Sequence, residues 1–169
     1  TGEVFLTDLV EIAHSGGKTV AAHHSEDPSE GLGVNTRVEL AAVDAAMRAR
    51  IREAHMLAGV TFVDPASTSV DAAVAIAPDV TIERGCVLEG ATSIGSGSRI
   101  GPYSVVRDTT VGEGCRIEAS FLEGAMLEAD VRVGPYSHLR PGAYLERGVE
   151  LGNFGEVKHA RLRERTKMH

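Results

Sequence analysis

Aliphatic side chains recur every six residues in two runs, Ile76, Ile82, Leu88, Ile94, Ile100 and Val106, then Leu127, Val133, Leu139, Leu145, Leu151 and Val157. A helix repeats its apolar positions at three and four residues and a strand at two, so neither accounts for the beat. A period of six fits a parallel β-helix, in which three short strands make one coil and the coils stack. Glycine often follows the aliphatic, as in Ile94-Gly95, Ile100-Gly101, Val111-Gly112, Val133-Gly134 and Leu151-Gly152. A residue without a Cβ suits a sharp corner after each inward-pointing side chain. A sandwich of short strands is the competing arrangement, and it does not hold twelve positions in phase. The beat slips between Val106 and Val111, while Phe121 lies in phase with Leu127. This reads as a shortened coil and a small insertion around Ser120 to Gly124.

The chain has 169 residues, room for one full domain and part of another. A formal charge of -7 excludes the basic surface of a nucleic-acid-binding protein, so phosphate ligands would have to be held locally. No apolar run is long enough to span a membrane and no signal segment is recognisable, which makes the cytoplasm the expected location. Cys86 and Cys115 fit neither a redox motif nor a zinc pair and read as small, reduced, half-buried residues of the repeat. The absence of tryptophan suits a narrow prism filled by Ile, Leu and Val. Because the sequence starts at Thr1 rather than methionine and stops at His169 with the repeat barely concluded, both ends read as cut.

Three regions follow one another. Over residues 1–35 a short helix is expected from Asp8, with Glu11 completing a capping box and Gly16-Gly17 stopping it. A strand over Thr19 to His23 and a surface loop from Ser25 to Leu32 come next. This stretch is too short for a core of its own and reads as the tail of a larger domain. Residues 36–59 open with the capping box Thr36-Arg37-Val38-Glu39 and close at Gly59. Leu40, Val43, Met47, Ile51 and Ala54 form one stripe of this helix, with Arg48, Arg50, Arg52 and Glu53 facing elsewhere. It reads as a connecting arm or an ordinary packed helix. Residues 60–169 carry the coils, with Asp64-Pro65 as a turn and Val74-Ala75-Ile76 starting the repeat.

Hexad β-helices occur in acyltransferases, carbonic anhydrases, ice-binding proteins and oligomer scaffolds, so fold does not decide function. The motifs do more. Gly2-Glu3-Val4-Phe5-Leu6-Thr7-Asp8, Gly33-Val34-Asn35-Thr36-Arg37, Leu139-Arg140-Pro141-Gly142 and Gly152-Asn153-Phe154-Gly155-Glu156-Val157-Lys158, in this order, cover the whole chain. Together they make it resemble the bacterial bifunctional N-acetylglucosamine-1-phosphate uridylyltransferase / glucosamine-1-phosphate N-acetyltransferase family. The resemblance implies the α/β tail of a Rossmann-like nucleotidyltransferase domain, a connecting helix and a left-handed parallel β-helix. It also implies a homotrimer with acetyltransferase sites between neighbouring β-helices. In that family acetyl passes from acetyl-CoA to glucosamine 1-phosphate. Uridylyl then passes from UTP, with Mg2+, to give UDP-N-acetylglucosamine for cell-wall and lipopolysaccharide synthesis.

Carried over residue by residue, Arg140 and Lys158 match the positions that hold the sugar phosphate. A guanidinium fork and an ammonium suit that task, although a solvated basic pair is the ordinary alternative. Asn35 matches an asparagine that touches Mg2+ and the nucleotide sugar, yet by itself it reads as a turn residue before the Thr36 cap. Glu156 lies on the same face as Lys158 and is placed to orient it or the substrate amine, or else is a surface charge. The family's general-base histidine would follow His169 by one position, and a shifted end would make His169 itself the base. The glycine-rich nucleotide loop of the family is absent as well, so the segment by itself is expected to catalyse neither reaction. Gly155 replaces the family's usual valine, and Arg163 and Arg165 stand where glycine is usual, which puts closure of the coil after Lys158 in question.

Other readings are another hexad enzyme, such as a stand-alone acyltransferase or a carbonic anhydrase with histidine-bound zinc, a sugar nucleotidyltransferase of other specificity and a non-catalytic trimer scaffold. Zinc would need three convergent histidines. His138 and His159 lie 21 residues apart and need not share a face, while His14, His23, His24 and His55 fall outside the coils.

Overall fold

The computed structural model describes residues 5–168, with the side chains of Pro28 and Ser29 left aside. It divides into two compact units between Val43 and Asp44.

In the second unit the repeat forms a left-handed parallel β-helix with three faces. The first face stacks Thr61–Phe62, Thr81–Ile82, Arg99–Ile100, Arg116–Ile117, Arg132–Val133, Glu150–Leu151 and Lys167–Met168. The second stacks Ser69–Val70, Val87–Glu89, Val105–Arg107, Phe121–Glu123, His138–Leu139 and Glu156–Val157. The third stacks Ala75–Ile76, Ser93–Ile94, Thr110–Val111, Met126–Leu127, Tyr144–Leu145 and Arg161–Leu162. Each strand pairs in parallel with its counterpart one coil away, so side chains of equal phase stack in columns. The inward columns fill the prism: Ile82, Leu88, Ile100, Val106, Leu122, Leu139 and Leu145 are completely buried. Burying a side chain of this size stabilises by roughly 1.5–3 kcal/mol.

Two residues before most inward aliphatics, a second and smaller side chain turns inward. Thr68, Cys86, Ser104, Ser120 and Ser137 line one edge, all buried. Their hydroxyls knit successive coils: Ser120 Oγ accepts the Ser137 N–H at 3.1 Å and donates to the Glu118 carbonyl at 2.7 Å. Edge groups of the backbone are thereby satisfied inside the prism.

The shortening of the repeat differs from the expected single slip. Corners of five residues occur at Val106 to Val111, Ile117 to Leu122, Leu122 to Leu127 and Val157 to Leu162. There is no insertion at Ser120 to Gly124. Leu122, not Phe121, points inward: Leu122 is buried and aligned with Val106 and Leu139, whereas Phe121 is 54% exposed. In each short corner the left-handed residue comes two places after the inward aliphatic, at Asp108 (φ 47°), Ala119 (φ 42°), Gly124 (φ 54°) and His159 (φ 45°). In most six-residue corners it comes three places after, as at Gly85, Asp130 and Gly148; Gly90 comes two places after, and the corner from Val70 to Ile76 has no left-handed residue. Moving the left-handed residue one place earlier absorbs the deletion without changing strand phase.

Glycines directly after the aliphatic therefore serve more than one purpose. Gly101 and Gly134 have positive φ, but Gly95 and Gly112 do not. A Cβ on Gly112 would lie 2.6 Å from the Glu128 carbonyl carbon, so close approach of the next coil is what requires glycine there.

The coils begin one turn earlier than the Val74-Ala75-Ile76 start. Thr61–Phe62 already pairs with Thr81–Ile82, and a helical turn at Pro65–Ser67 lengthens the first corner and hides its phase. At the other end the coil after Lys158 closes through Met168, which aligns with Leu151. Arg165 holds the left-handed conformation (φ 58°) that glycine would ease, and Arg163 reaches Glu146 at 3.3 Å.

Helix α2, Arg37–Leu57, starts on the expected capping box. The Glu39 N–H donates to Thr36 Oγ1 at 3.2 Å, and Glu39 Oε2 accepts the Thr36 N–H at 2.7 Å. Its end is a Gly59 turn (φ 96°), in which the Val60 N–H donates to the His55 carbonyl at 3.0 Å. The stripe differs from expectation. Ile51 packs against the core, but Met47 is 53% exposed. Arg48 and Arg52, expected to face elsewhere, donate to Ser69 Oγ and to the Thr68 carbonyl, so their guanidinium groups reach the first coil.

In the first unit, helix α1 covers Asp8–Ser15 and ends with Gly17 at φ 68°. It begins without a side-chain cap on Thr7; Asp8 Oδ2 instead accepts the Phe5 N–H at 2.8 Å, so the capping box with Glu11 is not made. Thr19 to His23 is not a strand, having no neighbouring strand to take its backbone hydrogen bonds. No helix among the described residues is long and apolar enough to cross a membrane.

Candidate functional site

On the second face, outward positions flank each inward aliphatic: His138 and Arg140 flank Leu139, and Glu156 and Lys158 flank Val157. The Arg140 N–H donates to the Val157 carbonyl at 2.9 Å, which locks Arg140 one coil from Lys158. Neighbouring strands lie ~4.8 Å apart, so the two cations are stacked neighbours. Arg140 Nη1 donates to Glu156 Oε1 at 3.0 Å, with the side chains 42% and 58% exposed. Glu156 therefore orients the guanidinium rather than the ammonium. Lys158 is exposed and makes no ion pair among the described residues.

The column leading to this pair alternates in charge. Arg107 bonds Glu89 at 2.6 Å and Glu123 at 3.3 Å, and His138 Nε2 lies 3.4 Å from Glu123 Oε2. The Phe121 ring meets His138 edge-on, with centroids 6.3 Å apart. Glu123 is thus engaged by Arg107 and His138, and Glu156 by Arg140 itself, which leaves Lys158 as the unpaired cation beside the guanidinium, where an anion can be held by a fork and a point charge. From the sequence, Phe121 reads only as a repeat position and His138 only as a candidate zinc ligand, and Glu123 is not singled out. Their columns align only when the five-residue corners are counted.

The two motifs also explain their glycines. A Cβ on Gly142 (φ 80°) would come within 2.6 Å of His159 Nδ1, so the residue after Lys158 roofs the turn of the Leu139-Arg140-Pro141-Gly142 motif. A Cβ on Gly155 would lie 2.9 Å from Leu151 Cγ, which is where a valine would press on the core.

Asn35 belongs to the first unit, exposed before α2, and its N–H donates to Glu39 Oε2 at 2.7 Å. The Asn35 and Thr36 N–H groups hold the Glu39 carboxyl below its ordinary value. Among the described residues no group of three or more His, Cys, Asp or Glu side chains could hold a metal ion. The one amide of Asn35 does not make an octahedral Mg2+ site, and its observed place is the helix start. Cys86 and Cys115 are completely buried, more than the half-burial expected. Burial pushes the Cys115 thiol up to about 11, and its Sγ donates to the Glu128 carbonyl at 3.1 Å. Neither thiol is a nucleophile at neutral pH. Gly2, Glu3 and Val4 of the first motif, and His169, lie outside the described residues.

No protein-family model matches the chain. Curated relatives do. The bifunctional protein GlmU of Lactobacillus delbrueckii subsp. bulgaricus is 46% identical over 167 residues, 99% of this chain and 36% of that protein. Those of Streptococcus thermophilus and Enterococcus faecalis are 43% and 42% identical over 98% and 99% of this chain, again 36% of each relative. The chain thus spans little more than a third of the length of these relatives. Among solved structures, PerB from Caulobacter crescentus in complex with CoA and GDP-perosamine aligns with a TM-score of 0.54 at 22% identity, over 94% of this chain and 84% of that one. A mutant of perosamine N-acetyltransferase from the same organism also gives 0.54, at 21% identity over 73% of this chain and 59% of that one. These two likenesses are of fold.

Proposed function

We propose that this chain, a relative of the bifunctional GlmU proteins along 99% of its length, serves the acetyl-transfer half of UDP-N-acetylglucosamine synthesis. The observation that carries the reading is the stacked pair Arg140 and Lys158, the first of them tethered by Glu156, on one face of the β-helix. In this reading the pair holds the phosphate of glucosamine 1-phosphate. Its amine, relieved of a proton by a general base, attacks the thioester carbonyl of acetyl-CoA, and the CoA thiolate leaves. The base is assigned to the position following His169. The sites lie between β-helices of a homotrimer.

The same reading gives residues 1–35 to the end of a uridylyltransferase domain, 36–59 to a connecting helix and 60–169 to the acetyltransferase β-helix. Uridylyl transfer from UTP, with Mg2+, then completes a product destined for cell-wall and lipopolysaccharide synthesis in the cytoplasm. Asn35 would bring a single amide oxygen to that second reaction, and no step of it is assigned to other residues of this chain.

Binding is the property to test. Calorimetric titration with glucosamine 1-phosphate is expected to show affinity that Arg140→Gln and Lys158→Gln each weaken by at least about tenfold, the scale of a lost charge-assisted contact to phosphate. Glu156→Gln is expected to weaken it less, by leaving Arg140 untethered. Unchanged affinity in both cation variants would sink the assignment.

A further inference from the structure

The first face carries a second basic column that the acetyl-transfer reading does not use. Arg99, Arg116 and Arg132 occupy equivalent outward positions on three successive coils, aligned in direct register. Like charges placed opposite one another across strands repel, and the carboxylate that follows Arg132 in register, Glu150, is paired with Lys167 at 3.2 Å. Arg99 is engaged by Glu83. Arg116 and Arg132 are exposed and form no ion pair or side-chain hydrogen bond among the described residues.

Two adjoining hollows lie along this column. One, of about 490 Å³, is lined by Arg99, Arg116, Tyr103 and Glu118 among others. The next, of about 440 Å³, is lined by Arg116, Glu118, Arg132, Val133 and Gly134. Gly101 and Gly134 add no side chain to these walls, and the first hollow is also bordered by Glu83, the partner of Arg99. Two unengaged forks one strand spacing apart, ~4.8 Å, suit two linked phosphoryl groups, each taken by one guanidinium.

We propose that Arg116 and Arg132 form a binding site for the diphosphate group of a small molecule, separate from the Arg140 and Lys158 pair. Glu118 borders both hollows and sets a sign to the site: its carboxylate opposes the anion, so neutralising it strengthens binding.

Inorganic pyrophosphate is the probe, titrated calorimetrically into the full chain carrying Arg140→Gln and Lys158→Gln, so that the other cation pair cannot contribute. Saturable one-to-one binding is expected. Adding Arg116→Gln or Arg132→Gln is expected to weaken it at least about tenfold, and adding Glu118→Gln to tighten it about twofold to threefold. These are exposed positions, and unchanged circular dichroism verifies that each variant is folded. Absence of saturable binding, or equal affinity with and without Arg116 and Arg132, overturns the proposal. So does a changed sedimentation coefficient in the arginine variants with pyrophosphate affinity intact, which would make the column a contact between copies of the chain.

Discussion

The coils and the stretch before Val43 both carry regularly spaced aliphatic residues, and only the coils bury them. From Ile82 to Val157 every inward aliphatic is at most 4% exposed. In α1, by contrast, Leu9, Val10 and Ile12 are 54%, 54% and 60% exposed, and no residue of that helix is buried. The difference lies in where a partner comes from. A repeat supplies its own, because each coil presents to the next the same face it receives from the last. A single short helix has an apolar side and nothing of its own to set against it. Spacing therefore predicts burial only where the pattern returns.

The largest expected effect tests that contrast directly. Leu122→Ala removes a completely buried side chain and is expected to cost about 3 kcal/mol in urea denaturation, whereas Leu9→Ala should stay within about 0.5 kcal/mol. Comparable costs would mean that α1 packs as the coils do. A pair of glycines sharpens the same comparison. Gly112→Ala would push a methyl into the backbone of the next coil and is expected to lose about 1–3 kcal/mol, while Gly33, with nothing within 4 Å of an added Cβ, should accept alanine without loss. A tolerated Gly112→Ala would show the coils to be looser than their register implies.

Smaller effects belong to the start of α2. Thr36→Ala is expected to cost about 1 kcal/mol of local helix stability, read as faster amide exchange in the first turn. The Glu39 carboxyl, lowered by the Asn35 and Thr36 N–H groups, stabilises this turn above the ordinary value of 4.5, and the contribution is lost as pH falls through the lower folded value. Amide shifts of Asn35 and Thr36 should accordingly titrate with a midpoint below 4.5. A midpoint at or above it would mean that the cap is not held in solution.

Much of this was legible in the residues. The beat of Ile82, Leu88 and Ile94 predicts three-faced coils because inward phase is a local property, and Thr36 with Glu39 predicts a helix start because both partners lie within one turn. Phe121 misled because counting back by six from Leu127 ignores a short corner that only pairing across coils reveals. The α2 stripe misled because Arg48 and Arg52 hydrogen-bond to the first coil through their guanidinium groups, a use of charged residues that apolar spacing does not register. At the candidate site, Arg140, Lys158 and Glu156 were found through motifs. The tether between Glu156 and Arg140 was not, since it depends on which outward column each occupies.

All four five-residue corners fall at the edges on either side of the second face, and the edge from the third face back to the first keeps six residues in every coil. That invariant edge behaves like the spine of a bound book, against which pages of unequal width can still be aligned. A lineage of such proteins can lose or regain single residues at the two free edges without shifting anything stacked above or below. Deletions there change the outline of the second face, where Arg140 and Lys158 sit, while the strands of all three faces keep their register. Loss of a residue, ordinarily the most disruptive event for a β structure, becomes in this architecture a means of reshaping one wall at a time.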